Sequence, residues 1–463
     1  MSKKTGGTNA DGSQREAYKT GQVIIIGFTG SLGSGCSFLA EGVKRSVGTD
    51  AHLFRLSDCI RESLRSQGIK KPKTEQLQDE GDRLRKEHGL EYLVSQCVAK
   101  MDEIEKRGRF NDHSVILIDG IRNTGEVRSL RSSPNFFLVA VHAARETRRR
   151  RLVGSGKRFK SDREFDAADT RDFEEEGASW GQQVQLCSDL ADVIINNEDR
   201  LQENTTKQND FFQHFVSTYV SAMKALRNGS EIFDRAPTMD ETLMTMAFCA
   251  SARSSCAKRK VGAVVAYVRQ FPAVAGHVKR KEDDFRYQVI SSGYNEVPLG
   301  MPPCLLSEDE QCYRDKLRER VSAHFKNCPA CGAKLPAHVC QDFQKLSAYN
   351  CAKCGEQVGR CLPGTGEESG RLLDMCRALH AEENAILGLA GVAKSGNGNL
   401  VLYTTTFPCN LCANKVVEAG IKLVVYTDPY PMKEAKEILD RGGVEIRKFQ
   451  GVKSSAYFRI YAS

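Results

Sequence analysis

The chain has 463 residues, room for two or three domains at about 150 residues each, and its 40% hydrophobic and 27% charged content excludes a disordered or fibrous protein. Sixty-seven Lys plus Arg against 59 Asp plus Glu leave a formal net charge of +8, which suits anionic small molecules or nucleic acid and selects neither. The longest aliphatic run, Val23 to Ile26, is far short of the roughly 20 residues that cross a bilayer, so no membrane association is expected.

Residues 1–20 are polar and Gly/Ser-rich with no apolar stretch, and read as a disordered lead-in rather than a secretory signal. A cytoplasmic protein is therefore expected. Its 17 cysteines, several of them in C-x-x-C pairs, then point to metal or redox chemistry rather than to disulfides.

In chain order, the first expected element is Gln22 to Phe28, a β-branched run of the kind that forms a fully buried strand. A glycine-rich segment, Gly30 to Ser37, leads into a helix from Phe38 to Val47. Further strands are expected at Ser114 to Ile118, Asn135 to Val141 and Val193 to Asn196, with helical patterns between them. Such alternation predicts a parallel sheet covered on both faces, here spanning 21–200. Residues 201–237 read as a helical linker, with an amphipathic helix from Phe211 to Leu226. A second α/β/α domain, 238–463, follows, interrupted at about 320–362 by a segment rich in Cys and Lys and poor in aliphatic residues.

Gly30-Ser-Leu-Gly33-Ser34-Gly35-Cys36-Ser37 has the strand-before, helix-after setting of a phosphate-binding P-loop, whose backbone N–H groups cradle phosphates at a helix N-terminus. Ser37 stands at the magnesium-ligand position, and Asp119 after the second strand is a candidate Walker-B carboxylate. Cys36, however, stands where the motif has lysine, so a working kinase is not expected although phosphate binding is. A nucleoside triphosphate with Mg²⁺ is the candidate ligand. The stretches Leu56 to Arg61 and Asp119 to Glu126 resemble P-loop nucleotide and dephospho-coenzyme-A kinases. In those kinases a lid occupies the place of Arg145 to Arg151, which otherwise reads as a solvated helix face.

The strongest chemical signal is His380-Ala-Glu382, followed by Pro408-Cys409-Asn-Leu-Cys412. One imidazole and two thiolates leave a fourth tetrahedral position for water, as catalytic zinc sites do. Cysteines three apart fall on one face of a helix's first turn. The H-x-E…P-C-x-x-C order is the signature of zinc deaminases, in which the glutamate carries protons from water to the leaving amine. Cys328, Cys331, Cys351 and Cys354 form C-x2-C-x19-C-x2-C, the closed spacing of a structural zinc ribbon. Cys304, Cys312, Cys340, Cys361 and Cys376 stay unassigned and could hold a further metal.

Around these residues the chain from Thr238 resembles the deoxycytidylate deaminases. Ala252 to Val265 is similar to that family's first helix and strand, and Ser292-Gly-Tyr294-Asn295-Glu296-Val-Pro-Leu-Gly300 to its G-Y-N-x-x-P-x-G substrate loop. Cys376 to His380, Leu402 to Cys409 and Ala419 to Tyr426 fit as well. The resemblance implies a deoxycytidine nucleotide substrate, Glu382 as acid and base, Tyr294 and Asn295 at the sugar or base, and an oligomer. Lys258 and Arg259 are candidates for the phosphate, or simply a basic turn. Riboflavin-pathway deaminases share the metal motifs and lack the Gly-Tyr-Asn segment. With its kinase-like first part, nearly the whole chain resembles the two-domain bacterial phage-defence deaminases, which deplete dCTP and dCMP; a small RNA is a candidate regulator. The rivals are a polynucleotide cytidine deaminase and a nucleotide-sensing or RNA-binding regulator with a vestigial site. An aromatic content of 8% and a complete set of ligands speak against them.

Overall fold

The computed structural model describes residues 23–111, 113–173, 179–198, 212–227, 236–270, 285–306, 311–313, 315–316, 326–328, 330–336, 339, 348–358, 376–390, 399–428 and 433–461. The lead-in at 1–20, Cys340 and Cys361 lie outside them. The chain divides into two compact units, one of residues 1–241 with 450–463 and one of residues 242–449.

The first unit is built on strands β1 (Ile24–Thr29), β2 (Ala51–Arg55), β3 (Val115–Ile121), β4 (Phe136–His142) and β5 (Val193–Asn196). They pair in parallel in the order β5-β4-β1-β3-β2, so β1 lies between β3 and β4, with Ile24 opposite Val115 and Ile25 opposite Phe136. Central strands of a two-sided sheet need continuous apolar runs, and β1 is buried at every residue. β2 is the edge strand; its sequence, AHLFR, lacks such a run and gave no strand signal. Helices α1 (Cys36–Val47), α2 (Leu56–Ser66), α3 (Thr74–His88), α4 (Tyr92–Lys106), α5 (Thr124–Leu130), α6 (Arg145–Leu152), α7 (Asp162–Phe173) and α8 (Val184–Asp189) fill the connections.

Two segments depart from the expected division. The described part of the proposed linker, 212–227, is not a spacer. It forms a helix with a π-turn at Val216–Val220, continuing as α9 (Ser221–Arg227), and it buries Phe212, Phe215, Tyr219, Val220, Ala222 and Met223 in the core under β1. The chain end is likewise outside the second unit. After that unit a short strand, β11 (Gly451–Val452), pairs antiparallel with β5, and a terminal helix (Ser454–Tyr461) puts Ala456 and Ile460 into the same core. Val452 N donates to Glu241 Oε1 at 2.9 Å, and Tyr461 Oη donates to Glu241 Oε2 at 3.0 Å. The second unit is thus an insertion between Glu241 and Gln450.

That unit is a five-stranded sheet, β7-β6-β8-β9-β10, made of β6 (Gly262–Gln270), β7 (Phe285–Tyr294), β8 (Asn399–Thr406), β9 (Leu423–Asp428) and β10 (Glu445–Lys448). β6 runs antiparallel to β7 and β8, while β8, β9 and β10 are parallel. Its helices include α10 (Met239–Ala252), α11 (Ala381–Leu387), α12 (Asn410–Glu418) and α13 (Lys433–Arg441). The expected α/β class holds in both units. Among the described residues no helix is long and apolar enough to cross a membrane.

Candidate metal centre

His380 caps the N-terminus of α11 and Cys409 that of α12, so two helix starts point at one place. α11 approaches β7 at Gly293, where a Cβ would lie 2.3 Å from Ala381 O and 2.4 Å from Ala385 N. Only glycine permits that approach. A two-residue bridge between Leu379 and Glu296 ties the segment before His380 to the loop after β7.

The result is a compact cluster. Cys409 Sγ and Cys412 Sγ each lie 3.4 Å from His380 Nδ1, and the three candidate ligand atoms fall within 4.8 Å of one another. Hydrogen bonding from the Cys412 thiol, opposed by burial and helped by His380, holds the Cys409 thiol down at about 4. Glu382, 4% exposed, has Oε2 at 3.8 Å from Cys412 Sγ. Burial pushes its carboxyl up to about 7, although the His380 charge opposes the rise. Behind the ligand, Glu383 accepts from His380 N at 3.4 Å and is held by Lys415 at 3.0 Å. One imidazole, two thiols and a buried carboxyl at two helix N-termini match the donor set of a zinc site with an open position.

A cavity of about 160 Å³ opens onto the cluster, lined among others by Lys258, Arg259, Asn295, His380, Glu382 and Phe407. Asn295 lines it, but its amide is largely engaged: Nδ2 donates to Arg259 O at 2.8 Å and Oδ1 accepts from Val261 N at 2.7 Å. It therefore shapes the 259–261 turn. Tyr294 does not line the cavity; its carbonyl accepts from Asn384 Nδ2 at 2.7 Å, and the Arg253 guanidinium covers its ring. That placement departs from its expected substrate role. Strand alternation explains the departure, since neighbours along a strand face opposite ways. Lys258 and Arg259 reach the cavity but pair with Asp315 at 2.6 Å and Asp428 at 3.1 Å. Phe407 was not anticipated. Its place immediately before Pro408-Cys409 was the available signal.

Cys328, Cys331, Cys351 and Cys354 also gather within 4.8 Å of one another. Each pair sits on a tight turn: Gly332 N donates to Cys328 O at 2.8 Å and Gly355 N to Cys351 O at 2.7 Å, both glycines having φ near +70°. Backbone donors from Cys354 and Lys353 hold the Cys351 thiol down at about 6. Cys256, Cys304, Cys312 and Cys376 line one small cavity, but among the described residues they form no third ligand group.

In the first unit, the Gly30–Ser37 loop closes between β1 and α1. Gly33 and Gly35 have φ of 81° and 104°, and a Cβ on Gly35 would lie 2.2 Å from Asn197 Nδ2. Ser37 Oγ donates to Asp119 Oδ2 at 2.6 Å. Ser34 Oγ lies 3.5 Å from Cys36 Sγ, and Gly30 closes the loop onto Val141. Burial and the Asp119 charge push the Cys36 thiol up to about 12. The arginines of α6 neither line the cavity at this loop nor stand free. Arg151 donates to Gly33 O at 3.0 Å and Asn197 O at 2.6 Å, and Arg148 binds Leu32 O and Asp169, so they brace the loop from behind.

The two units are a parallel α/β unit with a glycine-rich loop at a helix start and an inserted α/β unit with a His/Cys/Cys ligand cluster. Comparison with known proteins bears on both. The family model for the cytidine and deoxycytidylate deaminase zinc-binding region matches residues 237–428. The deoxycytidylate deaminase of Schizosaccharomyces pombe is 30% identical over 222 residues, 48% of this chain and 47% of that protein. That of Saccharomyces cerevisiae is 27% identical over 286 residues, 61% of this chain and 64% of that protein. The chain thus spans about half to two thirds of the length of these relatives. A UPF0200 protein of Hyperthermus butylicus is 32% identical over 180 residues, 39% of this chain and 88% of that protein. The chain belongs to the UPF0200 family, and its residues 237–428 are similar to the cytidine and deoxycytidylate deaminase zinc-binding region.

Proposed function

We propose that the chain hydrolyses the 4-amino group of a deoxycytidine nucleotide, dCMP or dCTP, giving the deoxyuridine nucleotide and ammonia. The observation that carries this reading is the buried Glu382 carboxyl beside the His380, Cys409 and Cys412 cluster at the floor of a cavity. Held by those three side chains, Zn²⁺ would supply the Lewis acidity that activates water near neutral pH. Glu382 would take a proton from that water and pass it to N3 of the ring as the oxygen adds to C4, and would then move the proton of the new C4 hydroxyl to the amine, which leaves as ammonia as the C4 carbonyl forms. A carboxyl held near 7 by burial suits both steps, since a proton carrier works best near the ambient pH. Phe407 offers the ring an apolar wall. Lys258 and Arg259 can turn to a phosphate only by giving up Asp315 and Asp428.

The reading extends to three further parts. The four-cysteine ribbon holds a second, structural Zn²⁺. The P-loop binds a nucleoside triphosphate without transferring a phosphoryl group. The protein acts in the cytoplasm, as an oligomer, as an antiviral enzyme that drains the dCTP pool, with a small RNA as candidate regulator. The activity is tested by incubating purified protein with a mixture of deoxynucleotides and separating the products by chromatography. Loss of dCMP or dCTP with matching gain of the uracil nucleotide supports the reading; an unchanged mixture overturns it. Phage challenge of cells with and without the Glu382→Gln variant tests the antiviral role.

A further inference from the structure

Beside the Gly30–Ser37 loop the first unit holds a cavity of about 300 Å³, within the range of small-ligand sites. Its walls include the loop itself, apolar side chains Leu56, Ile60, Leu77 and Leu93, and five charged groups: Arg61, Arg85, Arg122, Arg158 and Asp119.

The partners of these arginines differ. Arg85 is bound to Asp82 and Glu126, and Arg122 to Asp172. Arg61 and Arg158 face no carboxylate among the described residues; Arg158 donates to the Thr74 hydroxyl at 2.8 Å. Burial, with the charges of Arg122 and Arg61 close by, pushes the Arg158 guanidinium down to about 10. Cations are therefore crowded here with a single lining carboxylate, Asp119, which is itself engaged by Ser37. A second, independent feature points the same way. Thr29, at the end of β1, is 1% exposed and lines the cavity, and its Oγ1 has no hydrogen-bond partner. Buried hydroxyls are nearly always satisfied, so an unpaired one on a cavity wall marks a place for a ligand atom.

We propose that this cavity binds a nucleoside polyphosphate without a metal ion, with Arg61 and Arg158 supplying the positive charge that Cys36 cannot. The proposal rests on reading the loop as a phosphate cradle and adds to it the source of charge and the class of ligand. Guanidinium groups bind phosphate oxygens in pairs, with geometry a lysine lacks, so two of them beside the loop N–H groups can hold a polyphosphate without Mg²⁺. The loop N–H groups take the terminal phosphate, Thr29 Oγ1 donates beside them, and the leucine and isoleucine wall takes the nucleoside. No phosphoryl transfer follows, because the loop lacks the lysine on which such transfer relies.

The test is titration calorimetry on the full chain in EDTA, with ATP, GTP, UTP and inorganic tripolyphosphate as probes. The binding counted is that which Gly35→Asp removes. At least one nucleotide is expected to bind, more tightly than tripolyphosphate, and Arg61→Gln and Arg158→Gln are each expected to weaken it roughly tenfold or more. The exposed Arg128→Gln is the control and should leave affinity unchanged. If Gly35→Asp abolishes binding while both arginine variants bind like the unaltered chain, the phosphate cradle stands and the arginine proposal falls. If binding appears only with Mg²⁺, or if Arg128→Gln weakens it equally, the proposal falls as well. If no probe binds, it falls together with the reading of the loop.

Discussion

Single side chains in this protein are tuned by what buries them. Glu382 and Cys36 are both buried acids raised by desolvation, yet they are suited to opposite roles. Glu382, at about 7, exchanges protons readily near neutral pH; Cys36, at about 12, stays a neutral thiol across the physiological range. Because only the thiolate is nucleophilic, Cys36 should resist alkylation. Iodoacetamide at pH 8, read by peptide mass spectrometry, should modify the exposed Cys249 and leave Cys36 intact. Equal labelling of the two would show that Cys36 is not held as described. The sequence disclosed which residues gather as candidate metal ligands, because ligand spacing is a local property of the chain. It did not disclose that the Asn295 amide is spent on Arg259 and Val261, or that Phe407 enters the cavity. Both depend on which way a turn folds, and no spacing rule encodes that.

At the level of elements, placement of the ligands depends on close approaches between helix and strand. Gly293→Ala would press a methyl into the backbone of α11 at Ala381 and Ala385. Overpacking of this kind costs about 1–3 kcal/mol, and it would displace His380 with its helix. The expected outcome is a lower Tm together with weaker zinc retention during dialysis; a variant with unchanged values would mean that α11 is not held there. The ribbon gives a separable prediction. Cys354→Ser should lower the zinc content by one per chain while leaving the other metal in place, whereas equal zinc in both proteins would remove the ribbon's role. Strands β1, β3, β4 and β5 were legible in sequence because buried parallel strands are uninterrupted apolar runs. β2 was not, since an edge strand is half solvated and needs no such run.

Over the whole molecule, the chain path defines the units differently from what composition suggests. The second unit is inserted into the first, whose core is completed by 212–227 and by the residues after Phe449. An amphipathic helix announces that it has an apolar face but not which sheet that face will cover, so 212–227 read as part of a linker and the chain end as part of the 238–463 domain. Ile460, 1% exposed, is the test case. Ile460→Ala should destabilise the first unit by about 2–5 kcal/mol, as loss of a buried aliphatic side chain does. Hydrogen exchange should then quicken in β1, β4 and β5. If it quickens only in β6 to β10, the terminal helix has been assigned to the wrong unit.

The proposed role of Glu382, carrying protons over a zinc ion held by His380, Cys409 and Cys412, separates metal binding from turnover. Zinc content and dCMP and dCTP turnover, measured on the same preparations of the unaltered protein and Glu382→Gln, decide it. Equal zinc is expected in the two, with a loss of turnover of at least about 10²- to 10⁴-fold in the variant. Wild-type turnover by Glu382→Gln, or a correctly folded protein that binds no zinc at these residues, would contradict it.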